Sequence, residues 1–218
     1  MRASATTLEP EMGANEVKAI EALLRTGKFT GPYLEIGTAA GGMLRHAMLS
    51  YRDDARPPFV VVDPMKYFPN QMEVVRRNLS SAGLDPSQVD FRISKSWPAF
   101  QAAERAGETY SFIFIDGSHK INHVTEDLAW TRLLQVGGIV CLHDCSAKYP
   151  GVLAAADRFL SLHPNYEVVE QVSSLRIVRK TGIASRQEAG VLERVRARLL
   201  GVAYQVQAGL KKRLKRKP

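Results

Sequence analysis

The sequence predicts an α/β domain: an open seven-stranded sheet, mostly parallel, closed by a C-terminal antiparallel hairpin, with helices on both faces. Three observations predict it. Helical and strand patterns alternate from about residue 15 to residue 180. The middle strands are nearly unbroken apolar runs, as strands covered on both faces must be: Phe59-Val60-Val61-Val62 and Ser111-Phe112-Ile113-Phe114-Ile115. After residue 165 the alternation gives way to two adjacent strand-like runs separated by Ser173-Ser174, which is hairpin patterning.

Each element has its own signal. Asn15 is a candidate cap for a first helix with Ala19, Ile20, Leu23 and Leu24 on one face and Gly27 beyond its end. Tyr33-Leu34-Glu35-Ile36 is a short strand closed by Gly37, and a helix runs from about Gly42 to Ser50. The strand Phe59–Val62 stops at Asp63-Pro64, and the next helix covers about Asn70 to Ala82 with Gly83 past its end. Asp85-Pro86 is turn chemistry before a weaker strand, Val89 to Ile93. The strand Ser111–Ile115 ends at Asp116. A helix over Val124 to Leu134 is ended by Gly137-Gly138, and the strand Ile139–Leu142 ends at His143-Asp144. A helix from Gly151 to Leu162 stops near Pro164, and the hairpin strands are Tyr166–Val172 and Leu175–Arg179.

The charge is divided unevenly. The net charge is +8, and residues 186–218 alone hold ten basic and two acidic residues, so residues 1–185 are neutral overall. The organisation expected is an N-terminal helical segment over 1–29, a domain over 30–180 and a basic helix over 185–218. No run of about 18 apolar residues is present and the first thirty residues lack a secretory pattern, which points to the cytoplasm. Cys141 and Cys145 sit together at a strand end, where a stapling disulfide is not expected.

Right-handed crossovers bring every parallel strand's carboxyl end to one sheet edge, where open α/β sheets bind ligands. Glu35, Gly37, Asp63, Asp116, His119, His143 and Asp144 therefore converge there. The loop Glu35-Ile-Gly37-Thr-Ala-Ala-Gly41-Gly42 lets backbone approach a ligand closely. It lacks the dinucleotide fingerprint, because Thr38-Ala39 replaces the tight second glycine, which argues against a nicotinamide-dependent oxidoreductase. Glu35 suits an amino-bearing ligand, and Asp63 can accept both hydroxyls of a ribose. The plainer alternative is a strand–turn–helix loop with Asp63 capping the next helix.

The order Glu-x-Gly-x-x-x-Gly, strand-ending Asp and terminal hairpin resembles class I S-adenosylmethionine-dependent methyltransferases of Rossmann-like fold. Phe114-Ile115-Asp116-Gly117-Ser118-His119, Asp127-Leu128, Trp130, Gly137-Gly138 and His143-Asp144 resemble the macrocin and cephalosporin-pathway type of small-molecule O-methyltransferase. The resemblance implies that Glu35, Gly37, Gly41, Asp63, Ser96 and Asp116 hold S-adenosylmethionine. It implies that Asp116, His143 and Asp144 hold a divalent metal, Mg²⁺ first, with Asp116 and His119 catalytic and His119 the general base. Imidazole at His143, where some of the resembled enzymes carry a second carboxylate, suits Zn²⁺, Mn²⁺ or Fe²⁺ better than Mg²⁺. The plainer alternatives are a helix-capping Asp116, a loop histidine at 119 and a satisfied histidine at 143. A zinc pair of His119 with His123 lacks a third soft ligand.

The acceptor implied is a hydroxyl of a sugar, glycolipid precursor or other small metabolite. An RNA ribose methyltransferase guided by the basic tail is the alternative, since Asp116-Gly-Ser-His119 replaces the loop that base N-methylation favours. In the tail, Ser185-Arg-Gln-Glu188 matches a capping box, and Leu192, Val195, Leu199, Val202, Val206, Leu210 and Leu214 form one stripe. Docking on its own domain or on a second subunit (a homodimer) competes with peripheral contact to an anionic membrane; nucleic acid is not the expected partner, because no aromatic residues interleave for stacking. Met12 and Phe29 are candidates to line the site.

Overall fold

The computed structural model describes residues 8–26, 28–184 and 187–214, with side chains as far as residue 203. The elements in chain order are α1 (Ala14–Leu24), β1 (Tyr33–Ile36), α2 (Gly42–Leu49), β2 (Phe59–Val62), α3 (Gln71–Ser81), β3 (Val89–Arg92), α4 (Ser96–Ala106), β4 (Tyr110–Ile115), α5 (Ile121–Asp127), β5 (Leu134–Leu142), α6 (Pro150–Leu162), β6 (Tyr166–Val172), β7 (Leu175–Lys180) and α7 (Val191–Leu214). The sheet has seven strands in the order β3-β2-β1-β4-β5-β7-β6, parallel through β5, with β7 antiparallel to both β5 and β6. This is the expected Rossmann-like architecture.

The apolar runs fill two cores. Leu34, Ile36, Val60, Val62, Ile113, Ile115, Val140 and Leu142 pack on the face carrying α4, α5 and α6. Their alternates, Tyr33, Phe59, Val61, Phe112, Phe114, Ile139 and Cys141, pack under α1, α2 and α3. Phe29 joins this second core edge-on to Phe112, with ring centroids 5.4 Å apart, so it does not line the site. Both cysteines are buried free thiols.

Several local readings change. Gly13, rather than Asn15, caps α1; Glu16 Oε2 accepts the Gly13 N–H at 2.7 Å. Gly27 and Ser185 lie outside the described residues. The helix expected over Val124–Leu134 is α5, starting at Ile121, followed by a 3₁₀ turn over Leu128–Leu133. Gly137-Gly138 does not end that helix but lies inside β5: Gly137 has φ +84°, and a Cβ on Gly138 would sit 2.9 Å from the Ser111 carbonyl oxygen. Helix α4 occupies residues that carry no assigned element in the sequence pattern; it buries Ala99, Phe100 and Ala103.

Strand order reverses at β1, which pairs with β2 on one side and with β4 on the other, so a crevice opens at the carboxyl ends of β1 and β4. The two loops leaving these strands touch. Gly37 has φ +82°, and a Cβ there would lie 2.4 Å from the Asp116 carbonyl oxygen. Gly107 has a similar φ of +68° but open space around it. Gly107→Ala should therefore cost only the left-handed penalty, about 1 kcal/mol, whereas Gly37→Ala adds a backbone collision and should cost about 3 kcal/mol or more. Urea unfolding checks this; equal losses for the two variants would contradict the close crossing.

Candidate active site

The glycine loop is held from three sides. Asp63, at the end of β2, accepts the Thr38 N–H at 3.0 Å through Oδ2 and the Met65 N–H at 2.6 Å through Oδ1. From α3, Gln71 Nε2 donates to the Ala39 carbonyl at 2.9 Å and Asn78 Nδ2 to the Ala40 carbonyl at 3.0 Å. The irregular segment before α1 lies over the start of α2, where a Cβ on Gly42 would meet the Pro10 nitrogen at 2.4 Å. Asp63 and Thr38 are buried, and Ala39 and Gly41 have φ of +44° and +79°.

Glu35 is fully buried. Its Oε2 accepts the Tyr33 hydroxyl at 3.0 Å, while Oε1 has no partner of ordinary hydrogen-bond geometry among the described residues. Burial pushes this carboxyl up to about 8, against the pull of Thr38 and Tyr33 and with the help of the Asp116 and Asp63 charges. A cationic group seated beside Oε1 would supply the missing partner and favour the carboxylate.

The second cluster gathers at the ends of β4 and β5. His143 Nδ1 lies 2.9 Å from Asp116 Oδ1, and its Nε2 lies 3.4 Å from Glu16 Oε2. Burial lowers the His143 pKa, but the hydrogen bond and charge of Asp116, with Asp144 and Glu16, outweigh it and push the imidazole up to about 9. His119 Nε2 lies 2.7 Å from Asp144 Oδ2, and the His119 ring rests against Tyr149 at 4.2 Å. Asp144 has φ +57°, a conformation that turns its carboxylate back toward His119 and His143. One ligand atom from each of Asp116, His143 and Asp144 lies within 4.8 Å of the others, which fits a divalent ion. Both clusters open into one cleft of about 1230 Å³, ample for a cofactor and an acceptor together.

A protein-family model described as a methyltransferase domain matches residues 34–145, half of the chain, from β1 through both clusters. The chain belongs to this methyltransferase family. No curated protein matches it. Among solved structures, the O-methyltransferase TomG from Streptomyces achromogenes, involved in tomaymycin synthesis and in complex with SAM, is similar at 17% identity, TM-score 0.62, covering 78% of this chain and 82% of that one. An O-methyltransferase from Bacillus cereus in complex with SAH is similar at 18% identity, TM-score 0.62, covering 81% and 86%. The apo structure of CalS11, a TDP-rhamnose 3'-O-methyltransferase of calicheamicin biosynthesis, is similar at 16% identity, TM-score 0.58, covering 76% and 79%. At these identities the likeness establishes a shared fold.

In this methyltransferase the cleft walls include Glu35, Gly37, Asp63, Asp116, His119, His143 and Asp144, so the residues predicted to converge do converge. Ser96 also lines the cleft, but its hydroxyl accepts the Trp130 indole N–H at 3.0 Å and bonds the buried Asp127, whose carboxyl burial pushes up to about 7. Gly41 contributes backbone geometry and lies under Val75. Met12 lines the cleft. His123 does not pair with His119; its Nδ1 lies 2.9 Å from Ser118 Oγ. Glu16 is the residue the sequence reading missed. It resembles an ordinary first-turn glutamate, yet it is buried, bonding Gly13 on one side and the Ser174 N–H and hydroxyl at 2.8 and 2.7 Å on the other.

Glu35 generates a pH prediction. Its folded pKa is raised above the unfolded value of 4.5, so its contribution to stability is complete below 4.5 and lost as pH rises toward 8. His143, raised in the same sense, adds loss at higher pH. The unliganded protein should therefore lose stability from about pH 5 to pH 8, and Glu35→Gln should flatten that part of the curve. Chemical denaturation at a series of pH values reads it; an unchanged slope in Glu35→Gln would reject the buried-carboxyl account.

Proposed function

We propose that this methyltransferase transfers the methyl group of S-adenosylmethionine to a hydroxyl of a sugar, glycolipid precursor or other small metabolite, aided by a divalent cation, with His119 as general base. One observation carries the reading: the Glu35–Asp63 glycine loop and the His119–Asp144 pair open into the same cleft. TomG with SAM, the Bacillus cereus enzyme with SAH and the sugar-nucleotide methyltransferase CalS11 support the cofactor and the oxygen acceptor by their likeness. Membership of a methyltransferase family removes the nicotinamide alternative.

S-adenosylmethionine supplies an electrophilic methyl group on a sulfonium. The chain's own residues do the rest. Asp63 would accept the ribose hydroxyls, since each of its oxygens keeps one lone-pair direction beyond the backbone N–H it already accepts. Glu35 offers Oε1 to the amino group. Asp144 fixes the His119 ring through Nε2, which makes Nδ1 the nitrogen that receives the acceptor's proton, and it stabilises the imidazolium that results. A cation held by Asp116, Asp144 and a deprotonated His143 would lower the hydroxyl's pKa.

A second reading rests on His143 itself. Clamped between Asp116 and Glu16, it forms a complete ion-pair network in which a cation is not required. The two readings separate in one experiment. Under the first, Mn²⁺ binds the protein and Asp144→Ala weakens it at least about tenfold while S-adenosylhomocysteine affinity changes by less than about threefold. His119→Ala keeps the metal and loses about 10²–10⁴-fold in methyl transfer to a panel of glycosides and nucleoside-diphosphate sugars, with partial recovery at high pH as hydroxide replaces the base. Full activity in chelator would establish the metal-free network, and full activity in His119→Ala would remove the base assignment.

A further inference from the structure

Helix α7 docks on the domain with the wrong face for an ordinary amphipathic helix. Its contacts are made by small and cationic residues. Ala197 is buried in the core beside α5; Gly201 faces Asn122 and Ile121, where a Cβ would meet them at 3.5 and 3.6 Å. The Arg194 guanidinium lies 3.7 Å from the Trp97 ring centroid, and Arg198 Nη2 lies 3.2 Å from Glu126. The apolar stripe is on the opposite side. At 100° per residue, Leu192, Val195, Leu199 and Val202 centre about 180° from Ala197 and Gly201. They are 78%, 50%, 69% and 62% exposed. In the sequence the same period continues through Val206, Leu210 and Leu214.

We propose that this stripe seats the protein on an anionic lipid surface, with α7 lying in the plane of the interface. Three observations favour lipid over a protein partner. The charges flank the stripe: on the helical wheel Arg198, held to Glu126, lies to one side, and Arg196 lies to the other, where its stem can lie along the interface and its head reach headgroup phosphates. The charge is one-signed, ten basic against two acidic residues over 186–218, which complements an anionic leaflet and would repel a second copy of itself. Beside the stripe, α5, α6 and α7 enclose a cavity of about 300 Å³ lined by Phe159, Leu162 and Leu200 with Arg158, Arg196 and Glu193, an apolar floor with two guanidinium groups to one carboxylate. Among the described residues no helix is long and apolar enough to cross a membrane, so the contact is peripheral.

The test is co-sedimentation of the full chain with phosphatidylglycerol-containing vesicles and with pure phosphatidylcholine vesicles. Binding should be at least about tenfold stronger to the anionic vesicles and fall as salt is raised. Leu192→Asp with Leu199→Asp should weaken binding at least about tenfold while leaving the thermal midpoint unchanged, because both side chains already face solvent. Failure to sediment with either vesicle, or equal sedimentation of the double variant, would overturn the proposal. A dimer by analytical ultracentrifugation that the double variant dissociates would assign the stripe to a second copy and overturn it too. So would retention by poly(U) RNA without vesicle binding.

Discussion

Everything at the catalytic edge depends on the contact between two loops, one leaving β1 at Gly37 and the other leaving β4 at Asp116. Parallel pairing of β1 with β4 fixes the ends of both strands in register, Ile36 beside Ile115. The chain must then part in two directions within two residues. Only a residue without a Cβ, in the left-handed region, lets the Asp116 carbonyl pass. With that crossing made, the glycine loop turns toward Asp63 on one side and the Asp116–His119 segment turns toward His143 and Asp144 on the other. The two halves of the proposed chemistry are adjacent because they share this seam.

The seam also concentrates carboxylates where water is scarce. Glu35 is buried beside Asp63 and Asp116; Asp127 is buried behind Ser96; Glu16 is buried behind His143. Each has been given a different partner. Glu16 and Asp116 share the His143 ring, and Glu16 takes a backbone and a hydroxyl donor besides, whereas Glu35 keeps one oxygen without a donor of ordinary geometry among the described residues. A buried group in that condition costs folding free energy and is kept where a ligand completes it. In the reading proposed here that ligand is the cofactor's amino group.

The strands and their ends were legible because the two-faced burial of Val60–Val62 and Phe112–Ile115 leaves a continuous apolar run, and the acidic residue that stops each run marks the carboxyl edge. Most of the helices were legible too, from their apolar spacing, but one was not. Helix α4 opens with Ser-Trp-Pro and is mostly alanine and polar residues after it, so its buried face is only Ala99, Phe100 and Ala103. The Gly137-Gly138 pair reads as a helix stop, but tertiary pairing with β4 draws it into a strand across an irregularity between Tyr110 and Phe112. Glu16 is 158 residues from Ser174 and 127 from His143, and no local pattern reports such a contact. The docked face of α7 was hidden for a related reason: its stripe is the strongest pattern in the tail, yet small residues opposite it make the closer packing.

The most direct measurement is a crystal structure of the protein with S-adenosylhomocysteine. The account predicts the ribose hydroxyls within hydrogen-bond distance of Asp63 and the amino group against Glu35 Oε1, with the sulfur facing the His119–Asp144 pair across the cleft. A product bound elsewhere, or lying in the cleft with Glu35 still unpaired and the sulfur turned away from His119, would contradict it.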